Sequence, residues 1–185
     1  MQEGEFELEL KETKIGSKRI YDGKIIKLDV DTVTLPNGES ATRELVRHPG
    51  GVGVVALDGD GSIYLVRQYR IPYDNILLEI PAGKLDAPGE PGIECARREL
   101  EEETGYRAEN IEWLMDLRTT VAFCDEKVEI FLARDLKPAK QHLDENEFIQ
   151  VKAYTLEELR EMIFTGKIED SKTIASILAY ESKYC

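Results

Sequence analysis

Three glutamates near the middle of the chain have the spacing of a metal site. Glu99, Glu102 and Glu103 stand at positions i, i+3 and i+4 of a segment with helical periodicity, so they project from one helical face. Gly105 is placed to end this helix, which puts the carboxylates at the end where the helix dipole is also negative. Such carboxylates suit a hard divalent cation, Mg²⁺ or Mn²⁺, which would relieve both the repulsion and the unfavourable dipole. Glu101 points away from this face and is expected to be only a solvated neighbour.

The alternative is a solvated acidic surface whose charge is neutralised by Arg97, Arg98 and salt. The residues upstream favour a site over this alternative. Residues 76–80 read as a short buried strand that is broken at Pro81-Ala82-Gly83, and a glycine-bearing loop then leads through Glu90 into the helix. A strand, loop and helix in this order can place backbone carbonyl groups beside the carboxylates.

Composition restricts the possible partners. The chain has 185 residues, 42% of them hydrophobic and 33% charged, which is typical of a globular protein. Its net charge of -13 argues against a nucleic-acid partner, so a phosphate compound would have to bind through divalent cations. No apolar run is long enough to span a membrane, and the N-terminus lacks the features of a signal peptide. We therefore expect a cytoplasmic protein with no membrane partner.

The cysteines and histidines do not form a site of their own. Cys95, Cys124 and Cys185 contain no C-x-x-C pair and are odd in number, so reduced thiols are expected. His48 and His142 are too few and too isolated for a zinc cluster, and we expect structural or surface roles for them.

The pattern of the chain changes near Pro49. Before it, alternating segments and the hairpin signal Asn37-Gly38 predict a small β subdomain over residues 1–48. After it, the main domain spans residues 49–185. Strands are predicted there at 112–120, 128–133 and 148–154, and helices around Ile93, Ala96 and Leu100, after a Thr155 and Glu158 capping box, and around Ile174, Ile177 and Leu178. Strands on both sides of a central helix, with a helical pair at the end, predict an α/β fold with a mixed β-sheet covered by helices.

The acidic helix resembles a known signature. The segment GKLDAPGE at 83–90, followed after seven residues by RELEEETGY at 98–106, resembles the Nudix box of hydrolases that cleave nucleoside diphosphates linked to another group. One departure is that six residues, not five, separate Gly83 from Glu90, which leaves the helix register unchanged. The segments VRQYRIPYD, LEIPAG, FCDEK and DENEFIQV extend the resemblance to the ADP-ribose pyrophosphatase branch over most of residues 43–180.

The resemblance implies roles for particular residues. Metal ligands would be the carbonyl of Ala82 and the carboxylates of Glu99, Glu102, Glu103 and Glu147. The family pattern places the general base at Glu145 in the segment 144–147, although an ordinary acidic turn is possible there and Glu102 or Glu126 could also reach the water. Glu90 and Arg98 would form a supporting ion pair that orients the helix.

Basic and aromatic residues are candidates for holding the substrate. Arg70 is the strongest candidate for phosphate binding, because it ends the VRQYR segment just before the box, and Arg43 and Arg67 follow. Each of them could equally be a surface arginine. A nucleobase would need stacking partners, for which Tyr21, Tyr69 and Phe123 are candidates, while Trp113 is expected in the core.

The resemblance therefore implies a Nudix fold with an N-terminal β subdomain that swaps across a homodimer. It also implies Mg²⁺-dependent hydrolysis of ADP-ribose, or a related nucleoside diphosphate sugar, to a nucleoside monophosphate and a sugar phosphate. GDP-mannose as substrate, or a module that binds nucleotide sugars without turnover, are the alternatives. The branch's Ser-Pro-Gly marker is replaced by Thr120-Val121-Ala122, which changes the allowed backbone angles of the loop and bears on the pocket for the terminal ribose.

Overall fold

A computed structural model describes residues 10–86, 89–143 and 145–185. The first nine residues of the predicted β subdomain lie outside the described residues. Contacts within the chain define two units. The first ends at Pro49 and also includes Thr120–Glu126, and the second contains Gly50–Thr119 and Lys127–Cys185.

The first unit is built on a three-stranded antiparallel sheet of β1 (Thr13–Asp22), β2 (Lys27–Thr34) and β3 (Ser40–Arg47). The predicted hairpin signal joins β2 to β3, and Gly38 takes the positive φ of 85° that the turn requires. The segment Thr120–Glu126 attaches to β3, because the Val46 N–H donates to the Phe123 carbonyl at 2.7 Å. Two buried carboxylates of β2 are held by basic side chains of the same unit, namely Asp29 by Arg19 and Arg47, and Asp31 by Lys14 and Arg47.

The second unit is built on a seven-stranded mixed sheet. Its strands are β4 (Gly51–Leu57), β5 (Ile63–Arg70), β6 (Asn75–Glu79), β7 (Ala82–Lys84), β8 (Tyr106–Arg118), β9 (Lys127–Pro138) and β10 (Ile149–Tyr154). The main path runs β10-β5-β4-β9-β8, with β6 paired to β5 and β7 paired to β4. Strands β4 and β9 are parallel and the other pairs are antiparallel.

Helices cover both faces of this sheet. They are α1 (Gly92–Thr104), α2 (Leu156–Phe164), which begins with the predicted capping box, and α3 (Ser171–Tyr184). The strand β4 is buried along its whole length, and its alternating side chains divide between two cores. One core joins α1 to β4 and β9 through Cys95, Ala96, Leu100, Val52, Val54 and Phe131, and the other joins α2 and α3 to the sheet through Leu159, Ile177, Val55, Leu65 and Ile130. The predicted mixed sheet sandwiched between helices is confirmed.

Two local predictions were wrong. Pro81-Ala82-Gly83 was predicted only to break the preceding strand, but Ala82–Lys84 pairs with Gly51–Gly53 as β7. Trp113 was predicted in the core, but 56% of its surface is exposed and its indole N–H donates to Asp116. Leu114 takes the buried position on β8 instead, at a shift in the pairing register of β8 with β9. Within the described ranges, no helix is both long and apolar enough to cross a membrane.

Candidate active site

The C-terminal end of α1 presents its acidic face to β7. Apolar residues on the opposite face of the helix, Cys95, Ala96 and Leu100, fix its rotation by packing in the core. Gly105 ends the helix in the left-handed conformation with φ 73°, and its N–H donates to the Glu101 carbonyl at 2.9 Å. The predicted helix and its glycine cap are therefore confirmed, and the register of the box is set by the core.

Glu103 is the most buried carboxylate of the site, with 3% of its surface exposed. It accepts a hydrogen bond from the Ala82 N–H at 2.9 Å, which ties the end of α1 to the start of β7. Burial raises the pKa of Glu103 to about 8; the Ala82 N–H opposes this rise, and the charges of Glu99 and Glu147 add to it. Without a cation, this carboxylate is therefore costly to ionise.

Arg98 supplies the positive charge between the other two glutamates. Its Nη1 donates to Glu99 at 2.7 Å and to Glu102 at 3.0 Å. Burial raises the pKa of Glu99, while the charge of Arg98 and its hydrogen bond act in the opposite direction. In the part of the chain that the structure describes, no three Asp, Glu, His or Cys side chains are arranged to hold a metal ion.

A pocket of about 240 Å³ nevertheless collects four of the five predicted oxygen ligands. It is lined by Ala82, Gly83, Lys84 and Asp86, by Arg98, Glu99 and Glu102 of α1, and by Glu147 from the distant segment before β10, whereas Glu103 does not line it. Carboxylate and carbonyl oxygens are the donor set of a hard divalent cation. These residues therefore fit Mg²⁺ or Mn²⁺. The cation would compete with Arg98 for the carboxylates of Glu99 and Glu102.

The segment that carries Glu145 and Glu147 is fastened to the end of α1. Backbone N–H groups of Ala139 and His142 donate to the carbonyls of Gly105 at 2.7 Å and Glu102 at 3.0 Å. The side-chain amide of Gln141 donates to the Glu103 carbonyl at 2.5 Å. These bonds satisfy carbonyl groups that a helix end leaves without partners, and they bring a non-local acidic segment to the box.

Gly83 leaves space for the close approach of the Glu99 carboxylate. A Cβ atom at this position would lie 1.9 Å from the Glu99 carboxyl carbon and 2.0 Å from one of its oxygens. Its φ is not positive, so the requirement is space and not backbone freedom. The glycine that opens this Nudix-like segment thus leaves room for Glu99, the first of the three glutamates on the acidic face of α1.

The loop between Gly83 and the helix is held by Glu90. The Glu90 carboxylate accepts from the Asp86 N–H at 2.7 Å and lies 3.6 Å from Arg98 Nη2, which also contacts Asp86 at 3.3 Å. The structure thus brings Glu90 and Arg98 together, and it adds Asp86, which the sequence had not indicated. Residues 87 and 88 of the longer loop, and Asp144 of the acidic segment, lie outside the described residues.

Glu145 is exposed, and Glu147 is partly buried. The two residues line a depression of about 420 Å³ together with Gln68 and Asn146. Gln68 Nε2 lies 3.4 Å from Glu147 Oε1, which links this depression to β5.

The predicted substrate-binding residues divide between the two units. In the second unit, Arg70 donates from Nε and Nη2 to Glu79 at 2.5 and 2.8 Å, and Arg67 donates to Gln150 at 3.3 Å. Tyr69 is half exposed and donates to Asp74 at 2.5 Å. The first unit contains Arg43, which pairs with Glu12, and the exposed rings of Tyr21 and Phe123.

Two further carboxylates have partners of their own. Glu101 accepts from Arg107 Nε and Nη2 at 2.5 and 2.7 Å. It does not line the pocket formed by Ala82, Glu99, Glu102 and Glu147, which we call the carboxylate pocket. Glu126 belongs to the first unit, where it lies 3.2 Å from His48 Nδ1. Two functional residues were not predicted from the sequence, namely the buried Glu79 and its second cation, Lys172. The position of Glu79 within the apolar segment ILLEI was the feature of the sequence that indicated a buried glutamate.

Comparisons with known proteins identify the family of this chain. The NUDIX domain model matches residues 47–177, and the model of the nucleoside diphosphate sugar hydrolase N-terminal domain matches residues 12–46. The chain is 43% identical over 168 residues to a methanol dehydrogenase activator of Bacillus methanolicus, covering 90% of each chain. It is 42% identical over 170 residues to an ADP-ribose pyrophosphatase of Bacillus subtilis, covering 91% of each.

A crystal structure of an ADP compounds hydrolase has the same fold, with a TM-score of 0.82, 21% identity and coverage of 93% of both chains. The family match extends over most of the chain and includes the carboxylate pocket at the end of α1. The chain therefore belongs to the NUDIX domain family.

Proposed function

We propose that the protein hydrolyses the diphosphate bond of ADP-ribose or a related nucleoside diphosphate sugar, giving a nucleoside monophosphate and a sugar phosphate, with Mg²⁺ as cofactor. The observation that carries this proposal is the pocket in which Glu99 and Glu102 meet Glu147 beside Ala82. The ADP-ribose pyrophosphatase of B. subtilis, similar over nine tenths of both chains, supports the substrate class.

The carboxylate pocket and the buried Glu103 would hold the cofactor, through Glu99, Glu102, Glu103, Glu147 and the carbonyl of Ala82. A bound divalent cation, Mg²⁺ or Mn²⁺, supplies positive charge that offsets charge on the phosphate oxygens and makes water more acidic. The protein's own contribution is to hold these oxygens on a rigid helix end and to keep Glu103 fixed on the Ala82 N–H.

A carboxylate of the chain removes the proton from the attacking water. We assign this role to Glu145. It is exposed and lines the depression beside Gln68, and Glu147 lines both this depression and the carboxylate pocket. Glu102 is the second candidate, because it lines the carboxylate pocket itself. Comparing Glu145→Gln with Glu102→Gln in single-turnover measurements distinguishes the two assignments.

Arginines bind the diphosphate from the side opposite the cation. Arg70 is oriented by its two bonds to Glu79, which suits a planar guanidinium that must meet phosphate oxygens. Arg67 and Arg43 are assigned a supporting part, and Tyr21 and Phe123 are assigned to the organic groups of the substrate.

The quaternary state is a second part of the proposal. The first unit exposes an unusual number of large apolar side chains, namely Ile15, Ile20, Tyr21, Ile25, Val121 and Phe123. A homodimer in which this unit contacts a second copy would cover them, and sedimentation at low concentration tests it. Action in the cytoplasm and the absence of a nucleic-acid partner remain predictions from the sequence.

The experiment incubates the purified protein and Mg²⁺ with ADP-ribose, GDP-mannose and other nucleotide sugars, and measures nucleoside monophosphate release. GDP-mannose is included because Thr120-Val121-Ala122 departs from the ADP-ribose branch. We expect release from at least one of these compounds, and its abolition by EDTA. Tight binding of a nucleotide sugar without any release would refute the hydrolase and support a sensing module.

A further inference from the structure

A buried ion network lies between Arg70 and the N-terminal end of α3. At its centre is Glu79, the last residue of β6, with 2% of its surface exposed. Its carboxylate accepts two hydrogen bonds from Arg70 and a third from Lys172 Nζ. Although burial opposes ionisation, these cations hold the pKa of Glu79 below its ordinary value. One carboxylate therefore contacts two positive charges.

Lys172 is itself held in place by α3. Its Nζ also donates to Asp170 at 3.0 Å, and only 15% of its side chain is exposed. Asp170 is the N-cap residue of α3 and accepts from the Thr173 N–H at 2.9 Å. Thr173 Oγ1 in turn accepts from the Ile80 N–H at 2.8 Å, one residue beyond Glu79. The start of α3 is thus fastened to the strand that leads into the Nudix box.

The charges of this network sum to zero only when Lys172 is present. Arg70 and Lys172 contribute two positive charges, and Glu79 and Asp170 contribute two negative charges. Removing Lys172 would leave the remaining three groups, Arg70, Glu79 and Asp170, with a net charge of about -1. Arg70 also interacts electrostatically with Glu103, so this charge would be felt close to the pocket where an anionic diphosphate must bind.

We propose that Lys172 is a positioning residue for substrate binding. It neutralises the charge of Glu79, the same carboxylate that fixes the orientation of Arg70. The positive charge of Arg70 is then available to the diphosphate. This proposal rests on the proposed function, because it takes Arg70 to be a phosphate ligand. Lys172 acts through Glu79 and Arg70 and contacts no reacting atom.

The test compares four variants with the wild type: Lys172→Met, Lys172→Arg, the double variant Glu79→Gln/Lys172→Met, and the control Lys167→Met. Lys167 is an exposed lysine of the same unit, so its variant makes the same change in net charge. Two properties are measured in the presence of Mg²⁺: KM and kcat for the nucleotide sugar that the wild type cleaves, and the dissociation constant of inorganic pyrophosphate.

We expect Lys172→Met to raise KM and the pyrophosphate dissociation constant about tenfold, with a smaller change in kcat. Lys172→Arg and Lys167→Met should stay within about twofold of the wild type. The double variant should recover part of the lost affinity, because Arg70 and Asp170 are then balanced again. A purely structural role of Lys172 predicts no such recovery, since two buried partners have been removed.

Two results would overturn the proposal: wild-type KM and pyrophosphate affinity in Lys172→Met, or weaker binding in the double variant than in the single variant. If Lys172→Met does not fold, the double variant is compared with the wild type: a pyrophosphate dissociation constant raised more than about tenfold would overturn the proposal, because the charges of Arg70 and Asp170 are balanced in that variant. A wild type that cleaves no diphosphate compound refutes the proposed function instead, while the pyrophosphate measurements still test the part played by Lys172.

Discussion

Glu103 gives the sharpest physical test of the acidic helix end, because its burial should make the metal-free protein less stable as pH rises. Its pKa is raised from an ordinary value of 4.5 to about 8 in the folded state. The unfolded chain therefore ionises first, and the folded state loses stability between these two pH values. At pH 7 the penalty amounts to about 3 kcal/mol, and near pH 4 it is roughly zero.

Glu103→Gln removes the charge and keeps an oxygen that can accept from the Ala82 N–H. The assay is urea unfolding of both proteins in EDTA from pH 4 to pH 8, with the free energy of unfolding extrapolated to water. We expect equal stability at pH 4 and a variant that is more stable by about 3 kcal/mol at pH 7. Mg²⁺ should raise the stability of the wild type more than that of the variant, and the variant should not turn over substrate.

Glu101→Gln is the matched control on the same helix. Glu101 is paired with Arg107, which lowers its pKa, so its contribution to stability is present at neutral pH and is lost as pH falls. Its neutralisation should therefore leave the protein no more stable at pH 7. A Glu103→Gln variant that is less stable than the wild type at pH 7, or a stability difference that does not change with pH, would refute the account of this helix end.

Three further variants test other contacts of the site. Gly83→Ala should weaken Mg²⁺-dependent activity at least about tenfold, because the added methyl group displaces the Glu99 carboxylate. Thermal stability should fall little, since the backbone angles stay allowed. A Mg²⁺ titration of activity checks this, and an unchanged metal dependence would contradict it. Arg98→Gln should destabilise the metal-free protein by about 1 to 3 kcal/mol, because Glu99 loses its charged partner; equal unfolding free energies in EDTA would contradict this. Gln141→Leu should speed hydrogen exchange in residues 145–150 and lower kcat, since the hydrogen bond from the Gln141 side chain to the Glu103 carbonyl is lost. Unchanged exchange would show that the segment is held by other contacts.

Local chemistry made much of the fold and of the box predictable. The helix, its glycine cap at Gly105 and the capping box of Thr155 and Glu158 depend on residues only a few positions apart, so their sequence patterns are sufficient. The common face of Glu99, Glu102 and Glu103 follows from helical geometry alone.

Features that depend on distant partners could not be predicted in the same way. Ala82–Lys84 becomes a strand only because Gly51–Gly53 lies beside it, some 30 residues earlier in the chain. Thr120–Glu126 joins the first unit through a bond between Phe123 and Val46. The partnership of Glu79 with Lys172 joins residues 93 positions apart, and no local pattern reports it.

The proposed reaction is tested most directly by hydrolysis of ADP-ribose in ¹⁸O-labelled water with Mg²⁺, followed by mass analysis of the products. We predict AMP and ribose 5-phosphate in equal amounts, with one ¹⁸O atom in one of the two monophosphates and no release of inorganic phosphate. Intact ADP-ribose after prolonged incubation, or products that do not result from cleavage between the two phosphates, would contradict the hydrolysis of ADP-ribose by this site.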